Sequence, residues 1–455
     1  MRWLPGTKHI WLLPAIIAGA FAIGISSSCA QPVISLPPNI LTPPWNVLRP
    51  FEPSVLPQLT DPDSLDPVAP EDTPVRGRVY PEYRAREIRV GDWMVNPSAA
   101  AGFRYDSNVF STPSNPQSDI AARFDAAVLA HTLWERHGIN ISLVADNLTY
   151  KRHPGLNQTD ATLLATGHYD IDHATQLLGA FKAAFLHDEV GSLTSPAGAV
   201  EPTPYSQLAG SLHLRKQFGR ATASVGATVD SYNFGSTVAQ NGSIINQDSR
   251  DGQIYVAHGR FDYAFSDKSA FFTSVEGNRR DLRGTPTDPL SSQGYRVLSG
   301  FDLEFTHLIK GEVGAGYMSQ RFDSPTIGTV QGPAYRAMLT WSPSRRLDVY
   351  FNTEQVVTEA SDTSTTGILA RAFQLGFDYE FRPNVIMTTA ATYERDRFQG
   401  EPRVDNVFMV DTQLKYLMNR VTSISFLYRF TRRDSNDPTA NYDKHRFGIS
   451  AAARF

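Results

Sequence analysis

Cysteine is almost absent from this chain, and its single copy lies within the first thirty residues. Cys29 is followed by Ala30, after which we predict cleavage of a secretory signal, so the mature chain would keep no thiol. Such a chain forms no disulfide and offers neither a thiol nucleophile nor a thiolate ligand for a metal. Its stability must therefore come from packing and hydrogen bonding.

A surplus of basic residues and long apolar runs are also missing. The 42 Lys and Arg residues do not outnumber the 46 Asp and Glu residues, so the chain lacks the positive surface that neutralises phosphates, and we expect no nucleic-acid partner. After the first thirty residues no run of 18 apolar residues occurs. A bundle of membrane-spanning helices is therefore excluded.

The N-terminus has the pattern of an export signal. Arg2 and Lys8 precede an apolar stretch, Ile10 to Ile25, and small residues follow it, which predicts a signal peptide over residues 1–30. One alternative is lipidation at Cys29, but the preceding serines lack the aliphatic residue usual at such sites. An uncleaved anchor is a weaker alternative, because the stretch is short and contains Pro14.

Residues 31–90 form a separate zone that contains thirteen prolines. Proline cannot donate to a helix or a sheet ladder, so we predict a disordered, Pro-rich periplasmic linker. The alternative is a docking segment for a periplasmic partner. Such a segment could bury little apolar surface, which favours the linker.

From Gly91 to Phe455 apolar and polar residues alternate in runs of about a dozen. We identify 18 candidate strands, the first near 97–106 and the last near 443–455. In the last strand Phe447 and Ile449 share one face, while Arg446 and Ser450 share the other. Charges on an inner face suit a wet lumen and not a dry core, so this alternation predicts an all-β fold: a transmembrane antiparallel β-barrel over residues 91–455.

The connections between these strands alternate in length. Long polar connections, such as 190–202 and 235–249, are separated by tight ones, such as 343–344 and 418–419. Barrels of the outer membrane have short turns on the periplasmic side and long loops outside. The sequence therefore predicts a location in the outer membrane of a Gram-negative cell.

Charged residues of both signs are predicted on the inward faces of the strands. A mixture of signs indicates either a channel for neutral or weakly charged solutes or charges that pair across strands, and both readings stay open. The lumen-lining candidates are Arg123, Asp125, Arg260, Asp262, Glu276, Arg280, Glu304, Glu312, Asp348, Glu354, Asp378 and Glu380.

The segment Gly102 to Phe110 resembles the opening strand of the β-barrel porin type 2 family, and the resemblance extends from Gly91 to Phe455. It implies an outer-membrane barrel of a kind often associated with exopolysaccharide production. Phe455 resembles the terminal signal read by the barrel-insertion machinery. The implied partners are outer-membrane lipids and lipopolysaccharide, the insertion machinery and periplasmic polysaccharide export proteins.

Motifs for catalysis are not found in the sequence. It has no glycine-rich phosphate loop, no G-x-S-x-G elbow and no H-E-x-x-H helix, so we predict no enzyme activity, cofactor or metal. We expect a water-filled conduit that exports exopolysaccharide, unless the linker or a loop such as 190–202 plugs the lumen. The alternatives are a general diffusion porin for small solutes and, less favoured, an outer-membrane enzyme or a structural barrel.

Overall fold

The computed structural model describes Val75 and residues 80–285, 289–306, 308–325, 327–358 and 367–455. The predicted signal peptide and most of the predicted linker lie outside these residues, so both stay predictions. No helix of the described part is long and apolar enough to cross a membrane.

Eighteen antiparallel strands form one closed sheet. The barrel strands are β2 (Trp93–Asp106), β3 (Asp119–Thr132), β4 (Gly138–Tyr150), β5 (Gln158–Asp170), β6 (Thr175–Asp188), β7 (Thr203–Phe218), β8 (Ala221–Phe234), β11 (Gly252–Ser266), β12 (Ser269–Leu282), β13 (Ser292–Thr306), β14 (Ile309–Phe322), β15 (Thr329–Ser344), β16 (Leu347–Thr358), β17 (Gly367–Arg382), β18 (Val385–Gln399), β19 (Val404–Leu417), β20 (Thr422–Ser435) and β21 (Tyr442–Arg454). The predicted fold class and the number of strands are confirmed.

Three short strands lie outside this wall. They are β1 (Ile88–Val90), which pairs with β2, and the pair β9 (Thr237–Val238) and β10 (Ile244–Ile245), which forms a hairpin within the loop after β8. Single-turn 3-10 helices span Asp248–Arg250, in the same loop as this hairpin, and Pro154–Leu156 and Pro438–Ala440 in two other connections. Paired structure therefore begins at Ile88, ahead of the barrel boundary predicted at Gly91.

The first and last barrel strands close the sheet. β2 pairs with β21 from Ser98 opposite Arg454 to Asp106 opposite Arg446. The amide of Phe455 donates to the carbonyl of Pro97 at 3.0 Å, which continues the same pairing. Closure satisfies backbone groups that an open edge would leave unpaired in hydrocarbon.

The two faces of each strand differ as predicted. Large apolar side chains such as Phe103, Val225 and Leu375 are exposed on the outer face, where lipid replaces water. The alternating inner positions hold polar or charged side chains that are largely buried, such as Asp125 and Asp411. The period of two along each strand therefore separates a lipid-facing surface from a lumen wall.

The ladder between β15 and β16 stops in the half of the wall next to the long loops. The last register pair of these two strands is Arg336 opposite Glu354, although β15 continues to pair with β14 as far as Thr329. Pro333 has no N–H to donate at this point. Its carbonyl instead accepts a hydrogen bond from Nε2 of Gln355 at 2.6 Å.

Beyond this point β16 leans into the lumen. Nη2 of Arg280 on β12 donates to the carbonyl of Val357 at 2.9 Å, although β13, β14 and β15 lie between these strands. Val357 also joins an apolar cluster formed with inward residues of neighbouring strands: Phe272, Leu298, Met318, Phe322, Val330 and Ala334. This part of the wall is dry, unlike the wholly polar lumen that alternation alone predicts.

One prediction concerns two glycines that face each other in the wall. Gly300 lies opposite Gly314, and a Cβ at Gly300 would overlap the carbonyl of Val313 and the Cα of Gly314. We expect Gly300→Val to lower the stability of the barrel by about 1–3 kcal/mol, because the strands must move apart. The temperature at which the folded band converts to the unfolded band on a denaturing gel should fall.

Gly277→Val on β12 is the matched control, since no atom lies within 4 Å of a Cβ built there. An unchanged transition for Gly300→Val would contradict the proposed close approach, as would an equal fall in the control.

Candidate functional site in the barrel lumen

Seven charged side chains on six consecutive strands form a network on the lumen wall, which we call the Arg/Glu ladder. From β12 to β16 carboxylates and arginines alternate from strand to strand, and β11 contributes one of each. The members are Arg260, Asp262, Glu276, Arg296, Glu312, Arg336 and Glu354. Five of the twelve predicted lumen residues belong to this ladder: the carboxylates Asp262, Glu276, Glu312 and Glu354, and the arginine Arg260.

One half of the ladder is centred on Glu312. Its Oε2 accepts from Nη1 of Arg260 at 2.6 Å, and its Oε1 accepts from Nη2 of Arg336 at 2.7 Å. Arg260 also contacts Asp262 at 2.8 Å and stacks its guanidinium 4.2 Å from the ring centre of Phe272. Glu312 therefore holds two arginines that would otherwise repel each other.

The other half is centred on Arg296. Nη1 of Arg296 contacts Oε1 of Glu354 at 2.6 Å, and Nη2 contacts Oε2 of Glu276 at 3.1 Å. Arg296 lies on β13 and Glu354 on β16, with β14 and β15 between them. A bridge over two intervening strands is possible only on the concave side of the wall, so these side chains project into the lumen.

Arg123 and Arg280, two other predicted lumen residues, have separate partners. Arg123 contacts Asp125 on its own strand at 2.8 Å. Arg280 contacts the carbonyl of Val357, as described above. Arg123, Asp125 and Arg280 therefore lie outside the Arg/Glu ladder.

The remaining candidates lie towards the tight turns. Asp348 accepts from the amide of Val75 at 2.5 Å, and Glu380 accepts from the hydroxyl of Tyr80 at 2.9 Å. Both contacts come from residues that precede the barrel, so this part of the chain touches the inner wall. Asp378 accepts from Thr388 at 2.6 Å, and Glu304 lies 3.8 Å from Lys310.

A second charge cluster, the rim cluster, lies at the end of the lumen next to the long loops. Glu189 contacts Arg446 at 2.5 Å and Arg104 at 3.5 Å, and Asp106 contacts Arg446 at 2.9 Å and Lys444 at 3.3 Å. Burial alone would raise the pKa of the Glu189 carboxyl, but the three cations outweigh it and hold this pKa well below its usual range.

Glu189 is the first residue of the loop over residues 189–202, which we call the crossing loop. Leu193 packs against Ile368, Ala370 and Phe398 on β17 and β18. In the strand order β17 and β18 lie half-way round the barrel from β6 and β7, which this loop connects. The crossing loop therefore spans the mouth of the barrel and narrows it.

Neighbouring loops fix the crossing loop along its length. Oγ of Ser111 donates to the carbonyl of Val190 at 3.3 Å, and the hydroxyl of Tyr442 donates to the carbonyl of Gly191, also at 3.3 Å. Further along, the amide of Val200 donates to the carbonyl of Val238 at 2.9 Å. The loop is thus held from several sides.

Several residues of these clusters are absent from the predicted set. Arg296 and Arg336 share strand parity with other inward positions, so alternation could have identified both. The role of Glu189 could not be identified in this way, because its partners come from strands that meet only when the barrel closes. Within the described residues, no group of His, Cys, Asp or Glu could hold a metal ion.

Residues 80–455 match the model of the family described as "Putative beta-barrel porin 2". The chain belongs to this porin family. Together with the barrel, this membership places the porin in the outer membrane, as the sequence analysis predicted. No curated protein matches the porin.

Solved structures similar to the porin come from Pseudomonas. OpdL of Pseudomonas aeruginosa is 14% identical with a TM-score of 0.43, over 80% of the porin and 100% of OpdL. OccK2 (OpdF) of the same organism, solved with glucuronate, is 12% identical with a TM-score of 0.45, over 80% and 99%. A BenF-like porin of Pseudomonas fluorescens is 10% identical with a TM-score of 0.45, over 80% and 100%.

The two halves of the Arg/Glu ladder predict opposite changes in ion selectivity. Arg296→Gln should leave Glu276 and Glu354 uncompensated and shift the channel of this porin towards cations. Glu312→Gln should leave Arg336 uncompensated and shift it towards anions. Reversal potentials in planar bilayers under a salt gradient measure both shifts, and equal signs for the two variants would refute the ladder as a lining of the conducting path.

Another prediction concerns the ion pairs of Glu189 with Arg104 and Arg446, which anchor the crossing loop at the rim cluster. Glu189→Gln removes the charge held by Arg104 and Arg446, so we expect larger and noisier single-channel currents at neutral pH. In wild-type porin the anchor should persist at neutral pH and weaken only as the pH falls below the ordinary carboxyl range, because the pKa of Glu189 is lowered. Glu201→Gln, in the same loop but outside the rim cluster, should behave as wild type. Wild-type currents from Glu189→Gln would refute the anchor.

Proposed function

We propose that the protein is a diffusion channel for small hydrophilic solutes across the outer membrane. The observation that carries this proposal is the combination of a lumen wall lined by paired charges with a loop that narrows the mouth. The paired wall presents water and polar groups to a solute without one dominant sign of charge. The narrowing sets an upper limit on solute size.

The Arg/Glu ladder supports weak charge selectivity. Its three arginines face four carboxylates, and each arginine contacts at least one of them. A channel built to select one sign usually concentrates the opposite sign at its constriction. Solutes that are neutral or weakly charged are therefore the best fit.

The crossing loop argues against the exopolysaccharide conduit that the sequence analysis names first. A polymer of linked sugars would have to pass the mouth as a continuous hydrated chain. The contact of Leu193 with the opposite wall divides that mouth. The diffusion porin, named there as the alternative, is the better supported function, and membership of a porin family also supports a role without catalysis.

Liposome swelling tests the proposal. Vesicles that contain the full-length protein should swell rapidly in arabinose, more slowly in a disaccharide and least in stachyose, because entry depends on solute size. Equal rates for all three sugars would contradict a size-limited channel, and swelling no faster than that of protein-free vesicles would contradict a diffusion channel altogether.

Shortening the crossing loop provides the matched variant. Replacing residues 192–197 by a short Gly-Ser linker keeps Glu189 in the rim cluster and removes Leu193 from the opposite wall. We expect stachyose to enter faster while arabinose entry changes little. If the large sugar enters no faster, the crossing loop does not set the size limit.

A further inference from the structure

Three arginines lie on the lipid-facing side of β17 and β18. Arg371 on β17 is directly opposite Arg395 on β18, and Arg397 follows two positions later on the same face of β18. Two cationic side chains placed directly opposite each other on a sheet repel, which destabilises the pair unless an anion lies near them. Strand geometry alone therefore leaves an excess of positive charge at this place.

These arginines lack the carboxylate partners that two other outward arginines, Arg279 and Arg432, have. Arg279 contacts Asp281 and Asp323, and Arg432 contacts Asp434 and Asp443. In the described part of the chain no carboxylate forms an ion pair with Arg371, Arg395 or Arg397. Among the described residues, the side-chain oxygen of Gln355 accepts from Nε of Arg371 at 2.7 Å.

The height of the arginines in the membrane follows from the residues beside them. Phe373, Leu375 and Tyr393 occupy the same outer face on the side towards the tight turns, and all three are exposed. The long loops lie on the other side of the arginines. The arginines therefore lie where the apolar band ends, at the level of the headgroups in the outer leaflet.

A break in the wall adjoins this place. The β15–β16 ladder ends at Arg336 opposite Glu354, and Gln355, which holds Arg371, also reaches Pro333 across the break. Tyr335, with its ring centre 6.5 Å from that of Phe373, lines the outer side. Arg371 thus lies next to the break in the β15–β16 ladder.

We propose that Arg371, Arg395 and Arg397 form a binding site for a phosphate group of lipopolysaccharide in the outer leaflet. A guanidinium presents a planar fork of donors that matches phosphate oxygens, and opposed arginines can hold one phosphate between them. The site faces lipid and not the lumen, so its ligand is a lipid headgroup. The acyl chains would lie along the exposed Phe373 and Leu375 below.

Binding of purified lipid A to the full-length protein in detergent tests the site by native mass spectrometry. Changing all three arginines to glutamine should weaken binding of bisphosphorylated lipid A by about tenfold to a hundredfold. Changing them to lysine should restore much of the loss, because charge is kept and only the planar fork is lost. Lipid A stripped of phosphate should bind wild type as weakly as it binds the glutamine variant.

The double variant Arg279→Gln with Arg432→Gln is the matched control, since both arginines are outward but paired with carboxylates. It should keep wild-type affinity, and an equal loss there would overturn the proposal, as would undiminished binding by the triple glutamine variant. Displacement of lipid A by excess inorganic phosphate would also overturn it, because the site would then serve a soluble anion. If the triple variant fails to fold, Arg395→Gln, which removes a side chain without a partner in the described chain, takes its place and should still weaken binding measurably.

Discussion

Every structural feature of this porin depends on the requirement that backbone N–H and C=O groups be paired wherever lipid surrounds the sheet. The strand pairing from β2 round to β21 meets that requirement by closing the sheet on itself. The early end of the β15–β16 ladder shows how strict the requirement is. Pro333 has no N–H to offer, and the side chain of Gln355 supplies a donor to its carbonyl. Beyond that point β16 stays paired with β17, and its Val357 packs in the apolar cluster of the lumen.

Closure also decides how charge is arranged inside. A closed wall is concave, so side chains on strands that are not neighbours converge, and Arg296 reaches Glu354 across two intervening strands. Charges that converge in a confined lumen are costly unless they are paired. This explains why arginines and carboxylates alternate from strand to strand between β11 and β16. Beside the apolar cluster, Arg260 stacks on the ring of Phe272 and keeps its carboxylate partners.

The sequence predicts the barrel well, because the signals it carries are local ones. Alternation with a period of two and tight turns that recur at every second connection predict the number of strands and their two faces without any knowledge of contacts. Parity alone would also have placed Arg296 and Arg336 on the lumen wall. The partners of these arginines could not be predicted, because the curvature of the closed wall decides which strands converge.

The sequence indicates that a loop such as 190–202 could fold into the lumen, but the path of the crossing loop could not be predicted. Its composition resembles that of the other long loops, and its path depends on contacts with two distant parts of the chain. The pairing of β2 with β21 brings the cations around Glu189 together. Apolar residues on β17 and β18 pack against Leu193. Neither contact can be predicted from residues 189–202 alone. Loop length indicates the side of the membrane, whereas the direction a loop takes depends on contacts far away in the sequence.

Arginines on the two faces of the same wall show what a membrane protein must obtain from its surroundings. Inside, Arg260, Arg296 and Arg336 find carboxylates within the chain, because the lumen encloses both partners. Outside, Arg371 and Arg395 face lipid on a convex surface, where side chains of neighbouring strands diverge and fewer protein groups can reach them. A guanidinium at the edge of hydrocarbon is stabilised by an anion or by water, and at the headgroup level both come from the membrane. The curvature that pairs charges within the lumen therefore leaves charges on the outer face to be balanced by lipid.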